Sequence, residues 1–222
     1  TIVQISDLHC KNFGKNQSEL ISKIKAAKPD MIALTGDIVD EDHDSISSVE
    51  DLLKGIKDLA PIYFVTGNHE LTSLAATQYQ ELLALFQKYG VTDLDNDSVK
   101  LKKGGQSITL YGRQYFSQYL TDSLPIASDK DFDILLYHGS DNFKEIAPYH
   151  YDLILSGHAH GGIVRLPIWG GIFGNDGTFF PEYAGGEYTI GDATLISSRG
   201  LGDASIPRFN NPPELVVIKL NP

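Results

Sequence analysis

Five of the seven histidines stand in short clusters, each directly after an apolar run that reads as a β-strand. The segments are IVQISDLH with Asp7 and His9, MIALTGDIVD with Asp37 and Asp40, IYFVTGNHE with Asn68 and His69, FDILLYHG with His138, and YDLILSGHAHGG with His158 and His160. Asp7 and His9 are spaced i, i+2 at a strand end, which projects both side chains to one side, and His158 and His160 repeat the arrangement between glycines. Asp37 follows Gly36, where the missing side chain allows close backbone approach, and its two carboxylate oxygens can bridge two cations. Asn68 offers a neutral oxygen and His138 a further imidazole. The chemistry implied is metal binding. With no thiolate in the set, the O/N mixture suits Mn, Fe or Zn better than a soft metal.

The elements that must position these groups follow from hydrophobic period. Strands are expected at 1–5, 31–35 and 62–66, separated by helices over Gln17 to Ala27, about Ser45 to Leu59 and about Leu74 to Lys88. That βαβα order implies parallel strands with right-handed crossovers. In the second half a hairpin is expected around Gly104-Gly105, with strands at 133–137, 153–155, 187–189, 193–197 and 215–220 in a largely antiparallel run. The sum is one α/β domain over residues 1–222: two packed mixed sheets with helices outside, a four-layer α/β/β/α sandwich with the metal site at strand C-terminal ends. Leu166 to Tyr183, rich in Gly, Pro and aromatics, reads as the one long irregular stretch, of a kind that is often functional.

Composition narrows the partners. A net charge of −11 argues against a nucleic-acid surface, which needs clustered Lys and Arg. An acidic protein that handles phosphates needs bound cations to neutralise them locally. Cys10 is the single cysteine, so no intrachain disulfide forms, and it reads as a small buried packing residue. His43 and His150 lie outside the clusters and read as surface residues. No run approaches the length of a membrane span. Thr1 enters a strand directly with no initiator Met, so an upstream signal peptide, membrane anchor or plain tail is expected, through which the protein could associate with a membrane.

In this order, D-x-H, G-D-x-x-D, G-N-H-[DE], a lone downstream His and G-H-x-H resemble the calcineurin-like metallophosphoesterase superfamily. They stand here as Asp7-Leu8-His9, Gly36-Asp37-Ile38-Val39-Asp40, Gly67-Asn68-His69-Glu70, His138 and Gly157-His158-Ala159-His160. SRGLG at Ser198 to Gly202 and PRFNNPPE at Pro207 to Glu214 are similar to the bacterial branch of small, often membrane-associated or exported members, which points to the cell envelope, with the cytoplasm as the alternative. The resemblance implies two divalent ions, manganese foremost, with iron or zinc as alternatives. Asp7, His9, Asp37 and His160 would hold the first; Asp37, Asn68, His138 and His158 would hold the second. It further implies His69 as the proton donor to the leaving oxygen with Asp40 orienting it, and Asn68 and His158 stabilising developing charge.

The implied reaction is cleavage of a phosphodiester or pyrophosphate by metal-bound hydroxide, with a small-molecule, envelope-lipid or nucleotide-sugar substrate. The protein-phosphatase branch carries an arginine after the second aspartate. Glu41 stands there instead, which argues against phosphoprotein substrates. Among Arg113, Arg165, Arg199 and Arg208, Arg199 is the preferred phosphate contact. The rival readings are a catalytically silent scaffold of the same fold, against which the intact ligand set speaks, and a nuclease, which the acidic balance disfavours. Oligomeric state is left open.

Overall fold

A computed structural model describes residues 1–43, 45–73, 76–115, 120, 124–128, 131–174, 177–203 and 207–221. In chain order the first half contains β1 (Ile2–Ile5), α1 (Ser18–Ala27), β2 (Met31–Thr35), α2 (Ser47–Ile56), β3 (Ile62–Val65), α3 (Ala76–Tyr89) and β4 (Val91–Asp93). The second half contains β5 (Ser98–Lys103), β6 (Gln106–Arg113), β7 (Phe132–Gly139), α4 (Phe143–Ile146), β8 (Leu153–Gly157), β9 (Val164–Leu166), β10 (Gly170–Phe173), β11 (Gly186–Ile190), β12 (Ala193–Ser197) and β13 (Val216–Ile218). The expected start of the third helix at Leu74 lies outside the described residues.

The first sheet runs β13-β1-β2-β3-β4, with β1 to β4 parallel and β13 antiparallel at the edge. Its central strands are buried on both faces, as crossover helices require. The two-residue period divides them. Val3, Ile5, Ile32, Leu34, Ile62 and Phe64 pack against Leu20, Ile24, Val49, Leu52 and Phe86 of the helices. Ile2, Met31, Ala33, Tyr63 and Val65 face Leu110, Ile134, Leu136, Leu153 and Leu155 of the second sheet. This is the expected sandwich. Over the second sheet the described helical layer is thin. It consists of α4 and short 3-10 turns, with the aromatic rings of Tyr137, Phe143, Tyr151 and Tyr183 supplying much of the cover.

The second sheet runs β11-β12-β8-β7-β6-β5 and departs from expectation. Strands β6, β7, β8 and β12 are mutually parallel, and only the hairpins β5–β6 and β11–β12 are antiparallel. The reason lies in the connections. Tight turns join the hairpins, whereas residues 114–131 and 140–152 are long enough to cross over and bring β7 and β8 back in parallel. The stretch 166–183 is also less irregular than its composition suggests, because β9 and β10 pair antiparallel and Phe173 bridges Phe179.

Parallel order puts the carboxyl ends of β1, β2 and β3 beside those of β7 and β8. Gln4, fully buried, ties the sheets there by donating to Thr35 Oγ1 (3.0 Å) and to the Ser156 carbonyl (2.9 Å).

Candidate metal centre

The clusters converge by turning out of the strands rather than by continuing their pleat. Asp7, His9, Asp37, His158 and His160 all have left-handed backbones, with φ of 49°, 47°, 51°, 72° and 48°. Such conformations are unfavourable for side-chain-bearing residues and persist only where neighbours enforce them. Here Asp7 N donates to the Gly36 carbonyl (3.0 Å) and His9 N to the Asp37 carbonyl (3.1 Å), locking the first two loops together. Gly36, at φ 85°, is indispensable to this: a Cβ there would lie 2.6 Å from His138 Nδ1 and 2.7 Å from Gly67 N.

Two main sets of ligand atoms result, each within 4.8 Å: Asp7, His9 and His160, and Asp37, His138 and His158; a further group of His9, Asp37 and His69 overlaps them. His9 Nε2 and His160 Nε2 face each other at 3.2 Å, and His160 Nε2 lies 3.5 Å from Asp7 Oδ1. Asp37 Oδ2 stands 3.0 Å from His138 Nε2, 4.0 Å from His9 Nε2 and 3.9 Å from His69 Nε2, so one carboxylate touches both sets. Asn68 Oδ1 is 2.9 Å from His158 Nδ1. Second contacts orient the rings. His138 Nδ1 donates to the Thr35 carbonyl (2.7 Å), which turns Nε2 inward. Asp7 Oδ2 is buried without a hydrogen-bond partner, an orphaned acceptor of the kind a cation satisfies. The residues fit divalent metal.

Electrostatics agree. Burial alone would raise Asp37, but His138 and its neighbouring imidazoles outweigh it and hold the carboxyl far below its ordinary range. Burial would lower His138, yet Asp37 and Asp7 push it up to about 10. Burial drives His160 down to about 3 against the pull of Asp7, with His9 and Arg208 adding to the drop, which keeps this imidazole neutral.

Two sequence expectations find different partners here. The carboxylate on His69 is that of Glu41, whose Oε2 accepts from Nδ1 at 2.6 Å, and not that of Asp40. Asp40 Oδ1 instead accepts from His43 Nδ1 (2.6 Å), while its Oδ2 lies 3.4 Å from His9 Nδ1. The loop after Asp37 thus turns Asp40 toward His9 and His43. Arg199, the preferred phosphate contact, gives its guanidinium to Glu214 (2.9 Å), so its charge is already paired. The arginine that reaches the cluster is Arg208, which donates to His160 Nδ1 (3.1 Å) and to the carbonyls of Arg199 (2.6 Å) and Gly202 (2.9 Å). Cys10 is buried and free, its thiol pushed up to about 11 mainly by burial.

Several contributors carried no local signal. Glu70, inside the G-N-H-E motif but given no role from sequence, accepts from four backbone N–H groups: Asp37 (2.9 Å), Ile38 (2.7 Å), Val39 (3.3 Å) and Gly67 (2.8 Å). Tyr115 packs its ring 5.4 Å from His138 and 5.3 Å from His158. Asp95 accepts from Thr66 N (3.0 Å) and Thr66 Oγ1 (2.7 Å), anchoring the strand end that carries Asn68 and His69.

Burial pushes Asp95 up to about 6, against the Thr66 hydrogen bonds. Its folded-state value therefore lies above its unfolded one, and the native protein binds the extra proton. Stability falls as pH rises from about 4 to about 6, and stays lower above that. Asp95→Asn should remove this slope, so that relative to wild type the variant gains on the order of 2 kcal/mol between pH 4 and 7. Urea unfolding across that range checks it, and parallel pH profiles would refute the assignment.

Two cavities open on the centre. One of about 320 Å³ is lined by His158, Ser140, Asp141, Phe179, Phe180 and Tyr183. The other, about 280 Å³, is lined by His9, Asp40, His43, His69 and His160, with Cys10 in its wall.

Residues 1–162 match the family model described as calcineurin-like phosphoesterase. The chain belongs to this family. It is 30% identical to the metallophosphoesterase YkuE of Bacillus subtilis (strain 168) over 99% of this chain and 78% of that one. It is 26% identical to phosphodiesterase YaeI of Escherichia coli (strain K12), over 99% and 81%. Among solved structures, a dimetal phosphatase from Danio rerio shares the fold, with a TM-score of 0.51 and 13% identity over 90% of this chain and 87% of that one. The protein is a metal-dependent phosphoesterase. No helix among its described residues is long and apolar enough to cross a membrane.

Proposed function

We propose that this phosphoesterase cleaves phosphodiester or pyrophosphate bonds with two divalent cations that share Asp37. Asp7, His9 and His160 would complete the first coordination set, and Asn68, His138 and His158 the second. The observation that carries the reading is the place of Asp37, whose Oδ2 lies within 4.0 Å of imidazoles from both sets. When bound, the cations supply Lewis-acid polarisation of the phosphoryl group and a nucleophile at neutral pH. Manganese is the proposed occupant, on the strength of a donor set of oxygen and nitrogen alone.

The remaining work falls to the chain itself. Asn68 and His158 stand together at one side of the centre, where their polar atoms can meet a phosphoryl oxygen. His69 is the proton donor. Glu41 is a carboxylate and can only accept, so it takes the Nδ1 hydrogen and leaves Nε2 turned toward Asp37. Asp40 serves as a positioning residue for His9, keeping that ring turned with Nε2 to the centre. The cavity beside His158 has room for the second substituent of a diester, and its Phe179–Phe180 wall suits an acyl chain or a base. This favours lipid-phosphate or nucleotide-sugar diesters over a nucleic-acid polymer, which the charge of −11 would repel.

Metal analysis combined with a panel of monoesters, diesters, nucleotide sugars and lipid phosphates tests the reading. Hydrolysis of monoesters alone by the two-metal protein would overturn the diester preference. His69→Ala should bind metal as wild type does yet lose about 10²- to 10⁴-fold in turnover on alkyl diesters. Nitrophenyl esters, whose leaving group needs no proton, should lose less than about tenfold. Equal losses on both would remove the proton-donor role.

A further inference from the structure

One group of chemically active side chains has donor atoms that the two-metal reading does not use as ligands. Cys10, Asp40 and His43 each place a ligand atom within 4.8 Å of the others. Cys10 reaches this position through its own left-handed backbone (φ 51°) and the bond from its N–H to the Ile38 carbonyl (3.1 Å). Asp40 is nearly buried, and its two oxygens face different rings: Oδ1 faces His43 Nδ1 at 2.6 Å and Oδ2 faces His9 Nδ1 at 3.4 Å. His43 is half-exposed, and only its Nδ1 contact with Asp40 holds the ring among the described contacts. All three line the cavity of about 280 Å³ that also reaches His69 and His160, so an ion can enter from solvent.

We propose that Cys10, Asp40 and His43 form a third metal site, selective for zinc-like ions, on the His69 side of the centre. Thiolate, imidazole and carboxylate together make a three-ligand set with one open position, the donor class zinc takes. The two main sets contain no sulfur, so softness separates the sites: manganese has little affinity for a thiolate, while zinc and cobalt accept it. On binding, the Cys10 S–H bond gives way to a sulfur–metal bond and the proton passes to solvent. The carboxylate of Asp40 then links the third ion to His9, with one oxygen on each. An ion held there occupies the cavity from which His69 must reach the departing oxygen, so filling the site inhibits.

Cys10 is the only cysteine in the chain, so a thiolate-to-cobalt charge-transfer band can arise nowhere else in the protein. Metal-free protein is titrated with Co²⁺ while the visible d–d bands and the near-ultraviolet charge-transfer band are recorded. The expected result is d–d absorption over the first two equivalents and the charge-transfer band with the third. Cys10→Ser should abolish that band, keep the first two equivalents and weaken the third by about 10- to 100-fold. His43→Gln, at a half-exposed position that should not disturb folding, should weaken the band while two-equivalent turnover stays at the wild-type level. Excess cobalt should slow wild type and spare both variants. Absence of the band at excess Co²⁺ overturns the proposal, as does a band that saturates within the first two equivalents, which would place Cys10 in the main centre.

Discussion

Replacing Asp37 with asparagine should strip the protein of both cations and lower turnover by about 10³-fold or more, equivalent to about 4 kcal/mol of barrier. The size follows from position. The same carboxylate faces His138 at 3.0 Å and, through the same oxygen, His9 at 4.0 Å, while its Oδ1 accepts from His69 N at 3.0 Å. Asparagine keeps the volume and one acceptor but loses the charge and the second acceptor. The metal-free protein changes too. Asp37 is the largest influence holding a proton on His138 against complete burial, so in the variant burial prevails and the ring turns neutral at pH 7. Neutral His138 alone does not restore binding, because the bridging charge is gone. Plasma emission analysis of bound metal, read alongside turnover, decides the matter. A variant with both metals and full rate would show that Asp37 is no bridge.

Glu70→Ala should be the most destabilising substitution in the centre. One buried carboxylate accepts from four backbone N–H groups and thereby holds the Asp37 loop against the Gly67 turn. Each donor left unpaired and dry costs about 1 to 3 kcal/mol, and with partial relief from water the total is about 4 kcal/mol. Glu70→Gln helps only in part, since its NH₂ would meet two donors head-on. Both variants should melt early and bind metal weakly even where folded, because the positions of Asp37 and Asn68 depend on that junction. Thermal unfolding with and without Mn²⁺ measures the loss. Wild-type melting and metal content in Glu70→Gln would mean that the turns hold themselves.

The candidate ligand residues are legible in the sequence because each sits at the end of an apolar run with a clear two-residue period, and because Gly36, Gly67 and Gly157 mark the turns. The first sheet was legible for the same reason: a strand–helix alternation leaves only parallel pairing. From sequence the second sheet reads as largely antiparallel, since the segments that join β6, β7 and β8 show no helical period, although α4 and short 3-10 turns lie between β7 and β8. Pairing direction there depends on where the chain returns, which local pattern does not encode. Cys10 reads correctly as buried, and its neighbours Asp40 and His43 are what give it a chemical setting.

Sequence by itself determined which atoms can hold metal, since donor type and strand-end spacing are local properties. Only the tertiary structure decided which carboxylate serves which ring. Glu41 on His69, Asp40 on His9 and Glu70 under Asp37 join loops after neighbouring strands of the first sheet, and Arg208 on His160 joins the loop after β8 to the C-terminal segment; only Asp40 on His43 is local in sequence. Hydrogen bonds of this kind are set to within a few tenths of an ångström by packing that spans the whole chain. A side chain one or two positions away in sequence can therefore take over the role its neighbour was expected to fill.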